Sequence, residues 1–397
     1  MKLKKTLAIL AAAVMSLSVF TGCGDKNDSS SVSAGESSGE SSSQGGKASA
    51  NLSRSGEVRD IKASDLVAEM TAGWNLGNSL DVFDGEGVST ETGWGNPKTT
   101  QEMIDGVRDK GFDVIRIPVT WGNHVDENYT IDTDWLDRVQ EVVNYAYDDG
   151  LYVIINSHHE EEWRIPDNEH IDEVDKQSTA IWKQVAERFK DYGDHLIFEG
   201  LNEPRVKGSP QEWNGGTEEG RHCVDRLNKS FVDTVRATGG NNEKRLLLLT
   251  TYASSCLATA VKDVAIIEDE HIGFSIHAYT PYAFTYAPGE SWELFEWDGT
   301  HDGEIQDVML RLKKTFVDNG IPVIITEYGA VNKSGNDAEV AKWATSYIGF
   351  AKSAGIPCVW WDNGYYISGN ELFGIYDRSH CDWYTDTVAD ALIEAAK

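Results

Sequence analysis

LIFEGLNEPR, residues 196–205, joins an apolar run to two adjacent polar groups and a proline. Leu196, Ile197 and Phe198 read as a buried parallel strand. Pro204 cannot donate to a sheet ladder, so Asn202 and Glu203 stand at the carboxyl end of that strand. Barrel enzymes keep their active sites at that end. Taken alone, an Asn-Glu pair is as easily a surface-loop feature. PVIITEYGA, residues 322–330, repeats the arrangement: Val323, Ile324 and Ile325 form a β-branched run, and Glu327 follows at its end. Two carboxylates on two strand tips point to glycoside hydrolysis.

From about Val58 onward, short apolar strands alternate with helical spacing, the pattern of a parallel sheet with crossover helices. Eight strand signals lie near Gly73–Leu76, Val114–Pro118, Tyr152–Asn156, Leu196–Leu201, Leu246–Thr250, Gly273–His277, Val323–Thr326 and Cys358–Asp362. Between them, Leu136, Val139, Val143 and Ala146 recur at helical intervals, as do Ile181, Val185 and Phe189, and Ile305, Val308, Leu312 and Phe316. This predicts an α/β protein, a single (β/α)8 TIM barrel. A doubly wound open sheet is the alternative, but no Gly-rich phosphate turn follows the first strand.

Nearly every strand ends in polar or aromatic groups: Asn75, Asn78 and Asp81, then Arg116, His158 and His159, His277 and Tyr279, and Trp361. Packing needs no ionisable groups there. The adjacent histidines point to opposite faces of a strand and no HExxH pattern is present, so neither a metal nor another cofactor is expected.

The chain has 397 residues, 40% hydrophobic and 25% charged, with 65 acidic against 35 basic side chains and a net charge of −30. That balance argues against nucleic acid or an anionic membrane as partner. Lys2, Lys4 and Lys5 precede an apolar stretch from Leu7 to Phe20, too short to span a bilayer as mature structure. Residues 1–22 therefore read as a secretory signal. Val19-Phe20-Thr21-Gly22-Cys23 is similar to a bacterial lipobox, with Phe20 where leucine is usual; Cys23 is then the lipidated residue of a cell-surface protein, or a bystander in an ordinary secreted one. Residues 23–55, Ser- and Gly-rich, read as a disordered tether, and residues 56–397 as the catalytic domain. The remaining cysteines, Cys223, Cys256, Cys358 and Cys381, show no metal-ligand spacing, and one or two disulfides stay open.

GWNLGNSLD, ETGWGNPKTT, RIPVTW, INSHHE, IFEGLNEPR, SIHAYTPY, IITEYGA and WWDNG, in that order, resemble glycoside hydrolase family 5, subfamily 4, over about Gly73 to Asp377. The resemblance implies a retaining endo-β-1,4-glucanase acting on cellulose-like, mixed-linkage or xyloglucan chains; with the N-terminal signal, the protein is expected to be extracellular, and it is expected to be a monomer. The resemblance makes Glu203 the acid/base and Glu327 the nucleophile. Arg116, His158, Asn202, His277, Tyr279 and Trp361 match the other residues around the scissile sugar, and Asn78 and Asp81 match positions that bind the neighbouring glucose. His159 and Trp292 complete the expected substrate-binding set. Arg116 and Tyr279 are expected to hold Glu327 charged, and that charge to raise the pKa of Glu203. Between Tyr279 and Trp297, Tyr282, Phe284, Tyr286, Trp292, Phe295 and Trp297 crowd one loop, about half expected to pack and half to line a cleft. A β-mannanase or other β-glycanase on the same fold, and a tethered glycan-binding lipoprotein without catalysis, are the rival readings.

Overall fold

The computed structural model describes residues 52–369 and 371–397; the expected export signal, Cys23 and the expected tether up to residue 51 lie outside them. Residues 52–55, expected in the tether, lie against the barrel. Asn144 Nδ2 and the Tyr192 hydroxyl donate to the Leu52 carbonyl at 2.8 and 3.2 Å, and Arg54 pairs with Asp148 at 2.7 Å. The folded unit starts at Leu52. Composition marks where apolar residues stop, and cannot register a carbonyl or an arginine that finds partners on a helix.

Eight strands form the barrel: β1 (Ala72–Asn75), β2 (Val114–Ile117), β3 (Tyr152–Asn156), β4 (Leu196–Glu199), β5 (Leu247–Ser255), β6 (Ile272–His277), β7 (Val323–Tyr328) and β8 (Cys358–Trp360). They pair in sequence order and close between β8 and β1, giving the expected (β/α)8 barrel. The three predicted helical patterns fall on the helices Thr133–Asp148, Ile171–Arg188 and Asp302–Thr315, with Phe189 and Phe316 at the C-caps. Helix starts are fixed locally: Asp132 accepts from the N–H groups of Asp134 and Trp135, and Thr217 from that of Gly220. Among the described residues no helix is long and apolar enough to cross a membrane. Cys223, Cys256, Cys358 and Cys381 are all free.

The two-residue period of a strand explains how the site is carried. Val114, Ile154, Ile197, Leu248, Ile324 and Val359 pack together inside the barrel with Leu66 and Val67 of the short helix Ala63–Val67. Each such buried side chain contributes roughly 1.5–3 kcal/mol. Two residues further along, the same inner face carries Arg116, Asn156, Glu199, Thr250 and Thr326, with Asn75 and Ser275 beside them, all buried. The alternate residues, among them Ile115, Val153, Phe198, Leu249, Phe274 and Ile325, face the helical layer. An apolar plug thus supports a polar layer, and the layer faces the carboxyl ends. Between β6 and β7 the register jumps, Ile276 pairing with Ile325 but His277 with Glu327. The irregularity re-aims Glu327 to stand beside His277.

Candidate active site

Glu327 accepts from Arg116 Nη1 at 2.7 Å on one oxygen and from the Tyr279 hydroxyl at 3.0 Å on the other. Arg116 is fully buried and stays charged despite the cost of burial, because Glu199 and Glu327 flank it. Burial, with the charge of Glu327, pushes the Tyr279 phenol well above its ordinary pKa, so it remains a donor. Glu203 lies across the cleft. His277 Nδ1 sits between the two carboxylates, 2.8 Å from Glu203 Oε1 and 3.4 Å from Glu327 Oε2. An oxygen of Glu203 and one of Glu327 lie within 4.8 Å of each other.

The expected electrostatic split is not what surrounds Glu203. Burial pushes its carboxyl up, but the hydrogen bond and charge of His277 and the charge of Arg205 outweigh burial and leave it below the ordinary value. Because His277 stands between the carboxylates, Glu203 meets a donor before it meets the Glu327 charge. His277 Nε2 is buried without a hydrogen-bond partner among the described residues.

His158 and Asn202 frame the other wall. Asn156 Oδ1 accepts from Val119 N at 3.0 Å, so its Nδ2 is the donor to His158 Nδ1, also at 3.0 Å. That fixes the His158 proton on Nε2. Burial, reinforced by the charges of His159 and Arg116, holds His158 neutral. Asn202 Oδ1 accepts from Arg116 Nη2 at 2.7 Å, which leaves its Nδ2 to donate. These two donor nitrogens are 3.4 Å apart. Trp361 stacks on His158 with the ring planes 3° apart. Gly77 beneath it is required by close approach: a Cβ there would come within 2.7 Å of the indole.

Asn78 has φ 56° and donates its N–H to Asp81 Oδ2, while Ser79 N donates to Oδ1. The Asp81 side chain is fully buried, 3.8 Å from His159 Nε2. Asp81 thus closes the loop and faces His159 from inside it. His159 meets Phe83 and Trp94 edge-on, at 5.4 and 5.6 Å between ring centres. On the opposite side an aromatic run leads out from Tyr279 through Phe373, Tyr286 and Tyr282 to Trp292. Of the crowded loop, Phe284 and Trp297 are buried against Trp343 and His301, and Tyr282, Trp292 and Phe295 are exposed.

Sequence reasoning missed four groups. Glu199 takes Arg116 by two points and accepts from the Ser275 hydroxyl; a charged residue inside the apolar LIFEG run was its signal. Arg205, just past Pro204, reaches Glu203, Glu161 and Glu212. Glu371, at φ 61°, accepts from the Tyr286 hydroxyl, and burial with the charges of Glu203 and Glu327 pushes it up. Phe83 and Trp94 had no strand tip to mark them.

Among the described residues, two groups of side chains bring three potential metal ligands together: Asp81 with His158 and His159, and Glu203 with His277 and Glu327. Asp81 already accepts from two backbone N–H groups, and the second group has the Arg116 guanidinium bound to Glu327, which repels a further cation.

The sequence profile described as Cellulase (glycosyl hydrolase family 5) matches residues 78–367. Endoglucanase A of Ruminococcus albus is 73% identical over 350 residues, 87% of this chain and 96% of that protein. A broad-specificity endoglucanase of family 5 subfamily 4 from Ruminococcus champanellensis, solved with cellotriose, is 41% identical with a TM-score of 0.82, over 85% of this chain and all (100%) of that one. XEG5A, a xyloglucan-specific endo-β-1,4-glucanase from a metagenomic library solved with cellotriose, is 44% identical with a TM-score of 0.81, over 84% of this chain and 98% of that one. On this barrel, this constellation and these likenesses, the chain belongs to glycoside hydrolase family 5, the cellulase family, among the endoglucanases of subfamily 4.

Proposed function

We propose that the chain cuts internal β-1,4-glucosidic bonds with retention of anomeric configuration, Glu327 acting as nucleophile and Glu203 as acid/base. The observation that carries this reading is the close approach of the two carboxylates: an oxygen of one lies within 4.8 Å of an oxygen of the other, and His277 Nδ1 reaches both, at 2.8 and 3.4 Å. Retaining enzymes place them about 5–5.5 Å apart, inverting ones about 6.5–9.5 Å apart to admit a water. Glu327, gripped by Arg116 and Tyr279, attacks the anomeric carbon, and the proton leaves from the hydrogen-bonded Glu203–His277 pair to the glycosidic oxygen. Once Glu327 is esterified its charge is gone, and the pair takes a proton from the incoming water. Asn202 Nδ2 and His158 Nε2 donate to the hydroxyls of the sugar being cut, and Trp361 stacks under its ring. Asn78 and Asp81 shape the adjoining subsite, where His159, Phe83 and Trp94 meet the sugar. Trp292 extends the leaving-group side.

An open aromatic groove grips several sugars and reads their substituents lightly. Mixed-linkage β-glucan and carboxymethylcellulose are the substrates we assign, with xyloglucan accepted because its branches project outward, and mannan and xylan poor. The N-terminal signal and Cys23 support export to the cell surface as a lipid-anchored monomer. Cys23→Ser should then move the enzyme from the membrane fraction to the medium; wild-type protein found wholly in the medium would remove the anchor. The mechanism is tested by NMR of the first products from soluble β-glucan: the β-anomer is expected, and α-anomer appearing first would overturn retention.

A further inference from the structure

The two oxygens of Glu203 face different partners. Oε1 meets His277 Nδ1 at 2.8 Å, and Oε2 lies 3.5 Å from Arg205 Nη1. An unopposed arginine at that distance favours the ionised carboxyl, the wrong state for a proton donor. Arg205 is opposed. Its Nε donates to Glu212 Oε1 at 3.1 Å, and its Nη1 to Glu161 Oε1 and to the Glu203 carbonyl, both at 3.0 Å. Its open face is covered by Trp213, 4.5 Å from the ring centre. Glu212 is in turn fixed by Gly208 N at 2.7 Å. Burial alone would raise Glu161, but His159 and Arg205 hold it well below the usual carboxylate range, so it stays charged. With the Arg205 side chain only 9% exposed, these charges act with little screening.

We propose that Arg205, Glu161 and Glu212 are positioning residues that set the proton affinity of Glu203, the two outer carboxylates drawing part of the guanidinium charge away and so limiting how far Arg205 favours the ionised acid. The proposal rests on Glu203 being the acid/base. The other groups facing Glu203 are His277 on β6, Tyr279 just beyond it, Glu327 on β7 and Glu371 in the loop after β8, and His159 faces Glu161. None of these is altered by the substitutions below.

The test is the pH profile of kcat/KM on soluble β-glucan, whose alkaline limb reports the acid of the free enzyme. Glu161→Gln and Glu212→Gln keep volume and an acceptor oxygen but free Arg205 for Glu203, and should move that limb to lower pH by on the order of half a unit or more. Arg205→Gln should move it to higher pH, and Arg205→Lys should restore it part of the way. A merely structural network would lower melting temperature and rate without opposite displacements. Limbs that stay put in folded variants, or that all move the same way, overturn the proposal; if Arg205→Gln does not fold, the two glutamate variants decide it alone. On an aryl glycoside with a good leaving group, which needs little protonation, the displacements should vanish. Glu203→Gln is the separate control: full turnover of polysaccharide by that variant would remove the acid assignment itself rather than the role of Arg205.

Discussion

Arg116 and Glu199 meet at two points, Nε to Oε2 at 2.6 Å and Nη2 to Oε1 at 3.0 Å, with neither side chain exposed. The pair fixes the guanidinium plane, and that plane decides where Nη1 meets Glu327 and Nη2 meets Asn202. Without Glu199 the guanidinium keeps Glu327 as a partner but loses its two-point grip, and hydrogen bonds to charged groups contribute about 1.5–3 kcal/mol each. Glu199→Gln should therefore lower the urea midpoint and reduce kcat on every substrate alike. Arg116→Lys keeps the charge but loses the fork, and should lose rate although it keeps charge. Wild-type stability in Glu199→Gln would show that the ion pair carries nothing.

Glu203→Gln and Glu327→Gln change neither volume nor packing, so both should remain folded while turnover of polysaccharide falls on the order of a hundredfold or more. The two should part company on activated substrates. Glycosylation by the Glu203 variant is partly spared with a good leaving group, whereas the Glu327 variant stays inactive. A burst of phenol, then slow turnover, is the expected trace for the first. Identical dependence of both variants on leaving-group pKa would refute the assignment of roles.

The strands were legible because each is a short apolar run ending in glycine, proline or a polar group, and Glu203 and Glu327 were legible because they follow such runs. What surrounds them was not. Arg116 and Glu199 are 83 residues apart and meet only through barrel closure. The jump that pairs His277 with Glu327 depends on local β6–β7 geometry, so the screening of Glu203 from Glu327 had no sequence signal. The burial of Asp81 had no sequence signal either: the left-handed turn at Asn78 folds backbone donors onto its carboxylate. Phe284 and Tyr282 are indistinguishable as aromatic neighbours in the chain; only the packing against Trp343 separates the buried ring from the exposed one.

His124 gives the fold a pH dependence of known sign. Its ring stacks on Trp135 at 3.7 Å, its Nδ1 has no partner among the described residues, and burial pulls its pKa down from 6.5 to about 4. Above about pH 6.5 the imidazole is neutral in both folded and unfolded chains. Between 6.5 and 4 only the unfolded chain takes the proton, so stability falls as pH is lowered and levels off below 4. At roughly 1.36 kcal/mol for each pH unit of difference, the loss is about 3 kcal/mol. Denaturant midpoints from pH 7 to 4 for wild type and His124→Phe should diverge by that amount, the variant losing less; parallel curves would assign the acid sensitivity elsewhere.

Trp292 and Phe284 lie in one loop and should fail in different ways. Trp292 is 42% exposed at the outer end of the aromatic run that begins at Tyr279. A flat ring there can stack only on a sugar well away from the scissile bond, and such contacts tighten substrate and transition state alike. Trp292→Ala should accordingly raise KM for β-glucan several-fold, in line with about 0.5–1.5 kcal/mol for an aromatic stacking contact, with kcat nearly unchanged. A short aryl glycoside, which does not reach the outer subsite, should be cut as by wild type. Phe284 is fully buried between Trp297 and Trp343. Phe284→Ala should instead cost about 3–5 kcal/mol of stability through the cavity it leaves, with KM little changed at temperatures where the protein stays folded. If Trp292→Ala slows the short glycoside as much as the polymer, the ring acts on the chemical centre and the groove does not extend along the loop after β6.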